Sequence, residues 1–112
     1  MIRGEIWWAD YGVPFGSEPG YRRPVVIMQT DRFTRSALNT VLVVPLTTNM
    51  LLADAPGNVF LEKSATALAK DSVAVVAHLS ALDKRRLSDC TGRLPFSDLQ
   101  EIEDGIRLIL GL

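Results

Sequence analysis

The chain has one cysteine and one histidine among its 112 residues. Cys90 therefore has no partner for an intramolecular disulfide, and one His with one Cys cannot build a His/Cys metal cluster. The carboxylates are scattered along the chain rather than paired, so no metal is expected. Neither G-x-x-x-x-G-K-[ST] nor G-x-G-x-x-G occurs, which removes the usual phosphate cradles and with them a nucleotide cofactor. Long apolar runs are also missing: SVAVVAHLSAL, Ser72 to Leu82, falls far short of the roughly 20 residues a membrane helix needs. The opening MIRGEIWWAD holds no extended apolar stretch of the kind a secretory leader needs, so a reducing cytoplasm is the expected compartment and a membrane is not an expected partner.

An excess of charge of one sign is lacking as well. Twelve basic and thirteen acidic residues leave a net charge of -1, which excludes a protein that holds nucleic acid by bulk electrostatics. The balance is uneven, however. From Ser97 onward four acids face one base, Arg107, so the remainder of the chain carries a mild positive excess that is compatible with a local basic groove.

What is present is enough apolar material, 47% of residues, for one core, and the length fits one domain over residues 1–112. Strands are expected at Gly4–Asp10, Pro24–Thr30, Asn39–Leu46, Asn58–Glu62, Ser72–Leu79 and Leu87–Leu94, from runs of β-branched and apolar residues between turn signals. Ser72–Leu79 reads as buried on both faces. DKRRL, starting at Asp83, reads as a short helical turn. From Ser97, the residues Leu99, Ile102, Ile106, Ile109 and Leu110 recur at helical spacing, and Ser97 with Gln100 forms an S-x-x-Q capping box. The expectation is mainly β with α: a small, strongly bent, barrel-like sheet covered by a C-terminal amphipathic helix.

Between the first two strands lies a loop, Tyr11 to Arg23, long enough to suggest a functional role. Its segment GSEPGYRRPVVI, Gly16 to Ile27, carries more charge than a turn requires. Arginine stays protonated, so Arg22 and Arg23 suit phosphate binding rather than base chemistry. A Ser/His/acid triad from Ser17 and His78 is formally available, but no G-x-S-x-G elbow surrounds any serine. Trp7 and Trp8 alternate across a strand, placing one in the core and leaving the other for a base or an interface. Cys90 reads as a small buried hydrophobe.

RGEIWWAD, GSEPGYRRPVVIMQTD and VVPLTTN, in that order, resemble the MazF/PemK family of toxin endoribonucleases, strongly from Ile2 to Asn49 and more loosely beyond. The resemblance implies an SH3-like barrel with helices, acting as a homodimer, cleaving single-stranded RNA sequence-specifically without metal or cofactor, and silenced by a cognate MazE-like antitoxin. It implies Arg23 and Thr47 as catalytic residues, with Ser17 and Glu18 on the family's G-S-E loop. Glu18 is a candidate general base, and His78 is the one side chain whose ordinary pKa suits that work. Ser17, Arg22, Thr48, Asn49 and His78 are the expected RNA contacts. Attack by the RNA's own 2'-hydroxyl would leave a 2',3'-cyclic phosphate and a 5'-hydroxyl. Where many members carry Gln and then a basic residue two positions later, this chain has His78 and Ser80, so its base preference is not inherited. An alternative on the same scaffold is a CcdB-like toxin that poisons gyrase and cuts no RNA.

Overall fold

A computed structural model describes residues 1–112. Seven strands, β1 (Glu5–Asp10), β2 (Arg22–Ile27), β3 (Thr40–Thr47), β4 (Val59–Leu61), β5 (Ser72–Ala74), β6 (Ser80–Asp83) and β7 (Leu87–Arg93), form one sheet. Two single-turn helices, α1 (Asp31–Thr34) and α2 (Lys63–Thr66), interrupt them, and α3 (Phe96–Leu110) ends the chain. All pairings are antiparallel, along the path β4-β5-β3-β2-β1-β7, with β6 also on β3. The expected strands β1, β3, β4 and β7 agree with the structure to within a residue at either end.

The long strand β3 bends the sheet. Its first half, Thr40 to Val43, pairs with β6, while Leu46 and Thr47 pair with β5. Period-two alternation sends side chains to opposite faces. Ile6, Val26, Val44 and Leu46 therefore join Leu99 and Ile102 of α3 in one core. Ala9, Val25, Ile27, Val41, Val43 and Leu87 form a second core across the sheet. The sheet is bent but not hydrogen-bonded into a closed barrel. Its far end is bridged by Thr91 of β7, whose Oγ1 lies 3.4 Å from the carbonyl of Thr66 in α2.

Helix α3 sits close on the sheet because Gly105 has no side chain. A Cβ there would lie 3.1 Å from Val76 Cγ1 and inside the permitted distance of the Gly57 carbonyl oxygen. Arg3 ties the same layers together, with Nε donating to the Met28 carbonyl at 3.1 Å and the guanidinium pairing with Glu103 of α3 at 2.5 Å.

Several expectations need correction. The strand expected over Ser72–Leu79 breaks after Ala74 into a 3₁₀ turn, Val76–His78, and β6 follows. The reason is register: Leu46 pairs with Ala74, so an unbroken ladder would set Ala77 against Val43, whereas Ser80 takes that place. Three residues are extruded, and the turn that carries His78 is made from them. Asn58 Oδ1 accepts from the Val76 amide at 3.1 Å and holds the departure point. β2 begins at Arg22 rather than Pro24 and stops at Ile27. Beyond it the Gln29 side chain replaces the ladder, accepting from the Leu42 amide and donating to the Thr40 carbonyl.

The S-x-x-Q cap does not form, because α3 already starts at Phe96 with Pro95 as its N-cap and no capping side chain. Ile109 and Leu110 are exposed, since the buried stripe of α3 ends at Gly105 and Ile106, where the sheet beneath it runs out. Cys90 is exposed as well. It lies on β7 opposite Trp7, with its Sγ turned 3.6 Å from the Gly92 carbonyl. The turn expected at DKRRL is present as Lys84–Arg86, N-capped by Asp83, whose carboxylate accepts from the Arg85 amide at 2.9 Å. The Arg85 guanidinium and amide together hold the Asp83 carboxyl down at about 2. No helix is long and apolar enough to cross a membrane.

Candidate functional site

The site begins with the β1–β2 hairpin. Trp8 pairs with Pro24, Ala9 with Arg23 and Asp10 with Arg22, so both arginines are ladder residues rather than loop residues. Hydrogen bonds continue past the strands, from the Tyr11 amide to the Tyr21 carbonyl at 2.8 Å and from the Tyr21 amide to the Gly12 carbonyl at 2.6 Å. Tyr21 sits at φ 56, the left-handed region that costs a residue with a Cβ. The free loop is therefore shorter than the sequence suggests, and its tip, with Phe15, Ser17 and Glu18, is exposed.

On the other side of β2, Val25 faces Pro45, Val26 faces Val44 and Ile27 faces Val43. The β2–β3 ladder ends at that first pair, and Arg23 and Thr47 lie beyond it on the two strands. The sequence separates Arg23 from Thr47 widely; the fold brings both to the lining of one cleft. Arg23 Nε donates to the Gly20 carbonyl at 3.3 Å, its one hydrogen bond. Thr47 Oγ1 accepts from the Asn49 amide at 3.2 Å, which fixes the hydroxyl oxygen and leaves its proton free to donate. Asn49 Oδ1 caps the following 3₁₀ turn by accepting from the Leu51 amide.

Arg22, Arg23, Thr47 and Thr48 line a cleft of about 350 Å³. One wall is apolar, from Trp8, Pro24, Leu46 and Leu68; the rim carries Arg22, Arg23 and Lys70, with Thr47, Thr48 and Ser72 between. No carboxylate lines it, so an anion entering meets three cations and hydroxyl donors. The Arg22 guanidinium lies 4.4 Å from the Trp8 ring centroid and pairs with Asp89 at 3.1 Å, an exposed contact. Trp8 is thus the indole turned toward the cleft, while Trp7 packs against the second core and donates Nε1 to Glu5 at 3.1 Å.

Ser17, Glu18 and His78 line a different, neighbouring cleft of about 540 Å³, walled by the loop on one side and the extruded turn on the other. The expected site residues are therefore divided: Arg22, Arg23, Thr47 and Thr48 together, Ser17, Glu18 and His78 together, and Asn49 in the adjacent turn. Tyr11 lines the second cleft, and its hydroxyl feels the positive charge of Arg23, so it stands at the junction of the two. Burial outweighs that charge and pushes the phenol up to about 12. Its hydroxyl is the one buried side-chain polar atom without a hydrogen-bond partner.

Sequence reasoning missed Tyr11, Leu68 and Lys70. The last two lie on a turn held by the Lys63 amide donating to Asp71 at 2.9 Å and the Leu68 amide donating to Thr66 Oγ1 at 3.1 Å. The one local signal was LAKDS, a basic residue just ahead of β5. No group of His, Cys, Asp and Glu residues is placed to hold a metal.

Comparison with known proteins gives a consistent result. A family model described as PemK-like, MazF-like toxin of type II toxin-antitoxin system matches residues 2–110. Endoribonuclease MazF6 of Mycobacterium tuberculosis is 44% identical over 112 residues, covering 100% of this chain and 98% of its own length. Endoribonuclease MazF of Staphylococcus saprophyticus is 38% identical, covering 100% and 92%. MazF from Deinococcus radiodurans superposes with a TM-score of 0.84 at 22% identity, covering 100% of this chain and 97% of that one. An endoribonuclease from a mycobacterial species, solved with its cognate antitoxin, gives 0.81 at 23% identity, covering 100% and 96%. The seven-stranded sheet with its C-terminal helix is the architecture of those structures, and the chain belongs to the PemK-like, MazF-like toxin family of type II toxin–antitoxin systems.

Proposed function

We propose that this chain is the toxin of a toxin–antitoxin pair and cleaves single-stranded RNA without a metal ion, using Arg23 and Thr47. The observation that carries the reading is that Arg23 and Thr47 line one cleft, with Arg22 and Lys70 and without any carboxylate. The RNA supplies its own nucleophile. Its 2'-oxygen attacks the adjacent phosphorus, the bond to the 5'-oxygen of the next nucleotide breaks, and the products are a 2',3'-cyclic phosphate and a 5'-hydroxyl.

The protein's tasks are orientation, charge relief and proton transfer. Arg23 has guanidinium donors to spare and directs them at the phosphoryl oxygens, where charge builds in the transition state. Thr47, its oxygen already fixed by the Asn49 amide, donates to the phosphate or orients the 2'-hydroxyl. Arg22, Thr48 and Asn49 contact the backbone or the neighbouring nucleotides. Glu18 takes the 2'-proton only if the loop folds over the bound strand, because in the free protein it lines the neighbouring cleft. Ser17 and His78, on the two walls of that cleft, contact the RNA there.

The cognate antitoxin is the second partner, supported by the related mycobacterial endoribonuclease solved with one. A MazE-like segment lying in the RNA groove silences the toxin by occupying it. Two copies of the chain form a homodimer, supported by the exposed apolar end of α3 at Leu108, Ile109 and Leu110. The cytoplasm, where RNA is met, is the compartment. The gyrase-poisoning alternative is not favoured, because the relatives above are endoribonucleases.

The test is incubation of the purified protein with long unstructured RNA in excess EDTA. Discrete fragments with 5'-hydroxyl ends are expected, and a strand with 2'-deoxyribose at the cut position should remain intact there. Cleavage of that deoxy-substituted site, or dependence on added metal, would refute the mechanism.

A further inference from the structure

Cleavage by Arg23 and Thr47 makes no use of Tyr11, although the fold sets it beside Arg23. Tyr11 stands just beyond β1, and Ala9, on the same side of that strand, pairs with Arg23. The hairpin continues past this pair, because the Tyr11 amide donates to the Tyr21 carbonyl at 2.8 Å. Alternation therefore sends Tyr11, Ala9, Arg23 and Val25 to one face, and the packing agrees, since Tyr11 lies against the core that holds Ala9 and Val25. Tyr11 and Arg23 are diagonal neighbours on that face, a separation that two long side chains span. The charge of Arg23 reaches the phenol, yet no hydrogen bond joins them. Arg23 Nε donates instead to the Gly20 carbonyl, at a long 3.3 Å, and the Tyr11 hydroxyl is the one buried side-chain polar atom left without a partner.

An arginine that has to meet a phosphoryl group needs its planar fork held at a fixed angle. A carboxylate would hold it but would cancel the charge that the phosphate needs, and no carboxylate lines the Arg23 cleft. A neutral hydroxyl holds it without that loss. Burial keeps the Tyr11 phenol protonated up to about 12, so at ordinary pH it is a dipole and not a counter-ion. The titratable groups around it besides Arg23 are Glu18 from the loop and His78 from the extruded turn; the rest of that cleft's lining is uncharged.

We propose that Tyr11 is a positioning residue for Arg23: when RNA draws the guanidinium away from the Gly20 carbonyl, the Tyr11 hydroxyl oxygen accepts one of its N–H groups and fixes the angle at which the others meet the phosphate. The inference rests on the endoribonuclease reading and adds a residue that acts through Arg23 without touching the RNA. In the free protein the hydroxyl is unpartnered because Arg23 is turned to Gly20. The complex is the state in which it is satisfied.

Two readouts test it. Tyr11→Phe removes the hydroxyl and keeps the ring. On a defined RNA oligonucleotide kcat should fall by roughly 3- to 10-fold, the equivalent of one hydrogen bond, with KM nearly unchanged. In the Arg23→Ala background the same change should alter kcat by less than about twofold, because no guanidinium is left to aim. An equal loss in both backgrounds is what a purely structural hydroxyl would give, and it overturns the proposal. A folded Tyr11→Phe protein as fast as the parent overturns it too.

The second readout needs no cleavage. The Arg23 guanidinium is followed by heteronuclear NMR while the uncleavable 2'-deoxy strand is titrated. In the parent its N–H resonances should resolve as rotation of the group is arrested, and in Tyr11→Phe they should stay averaged at the same saturation. Resolution to the same degree in both proteins overturns the contact and leaves the nuclease standing. Tyr11-dependent ordering in a protein that cuts no RNA overturns the nuclease and leaves the contact standing.

Discussion

Replacing Arg23 with alanine should separate catalysis from folding. In the free protein its guanidinium makes a single hydrogen bond, Nε to the Gly20 carbonyl at 3.3 Å. A hydrogen bond from a charged group contributes about 1.5–3 kcal/mol. With a urea slope of about 1–3 kcal/mol per molar, the midpoint should fall by roughly 1–2 M and the variant should remain folded in buffer. Activity is a different matter, because a charged donor aimed at a developing phosphoryl charge contributes about 3 kcal/mol, or roughly a hundredfold in rate. The loss should appear in kcat on a defined RNA oligonucleotide under saturating conditions, with KM changing less. Arg23→Lys keeps the charge without the planar fork and should fall between. Because Thr47 and Arg23 line the same cleft, Thr47→Val should cost less in the Arg23→Ala background than in the parent, with a coupling of at least about 0.5 kcal/mol. A folded Arg23→Ala protein that cleaves within about threefold of the parent would remove Arg23 from the chemistry.

Three further outcomes follow from the packing and the titrating groups. Gly105→Ala should destabilise the protein by about 1–3 kcal/mol in urea unfolding, although alanine gains about 1 kcal/mol in helix propensity, because the added Cβ meets the Gly57 carbonyl and forces α3 off the sheet. An alanine variant more stable than the parent would show that the close approach is not real. Tyr11→Phe should leave stability equal or raise it by about 1 kcal/mol, since the hydroxyl it removes is buried without a partner; a loss of that size would reveal an unseen hydrogen bond. The Tyr11 phenol, pushed up to about 12 from 10.0, is neutral in the folded state where the unfolded chain ionises. Its stabilising contribution is complete below pH 10 and is lost as the pH rises toward 12, so alkaline unfolding should be shallower in Tyr11→Phe.

Part of the candidate site was legible in the sequence, through motifs rather than geometry. The resemblance singles out Arg23 on RRPVVI and Thr47 on VVPLTTN, and because those segments are adjacent antiparallel strands the two residues line one cleft. The strands with β-branched runs were equally readable. The unread parts are those where tertiary contacts overrule local pattern. SALD has no β-branched residue and becomes β6 because the free edge of β3 from Thr40 to Val43 needs a partner. Ser97 looks like a cap, yet Pro95 starts α3 earlier by fixing the backbone ahead of it. Ile109 and Leu110 have helical spacing, but spacing says nothing of how far the sheet beneath extends.

The division of the expected residues between two clefts has the same origin. Ser17 and Glu18 lie on a loop whose reach the sequence does not encode, and His78 lies on a turn created by a three-residue register offset that periodicity in SVAVVAHLSAL cannot reveal. Arg23 and Thr47 stand on strands whose partners are fixed on both sides. Residues on paired strands can have their mutual positions read from pattern, whereas residues on loops have positions set by whatever the loop closes upon. If Glu18 acts on the 2'-hydroxyl, its closing surface is the RNA itself, and the acid–base geometry exists only in the complex. That predicts a division in the kinetics: Glu18→Gln should slow the chemical step on a tightly bound strand while leaving the affinity of the uncleavable 2'-deoxy strand near that of the parent. Equal losses in both would place Glu18 among the binding residues and leave the proton to another group.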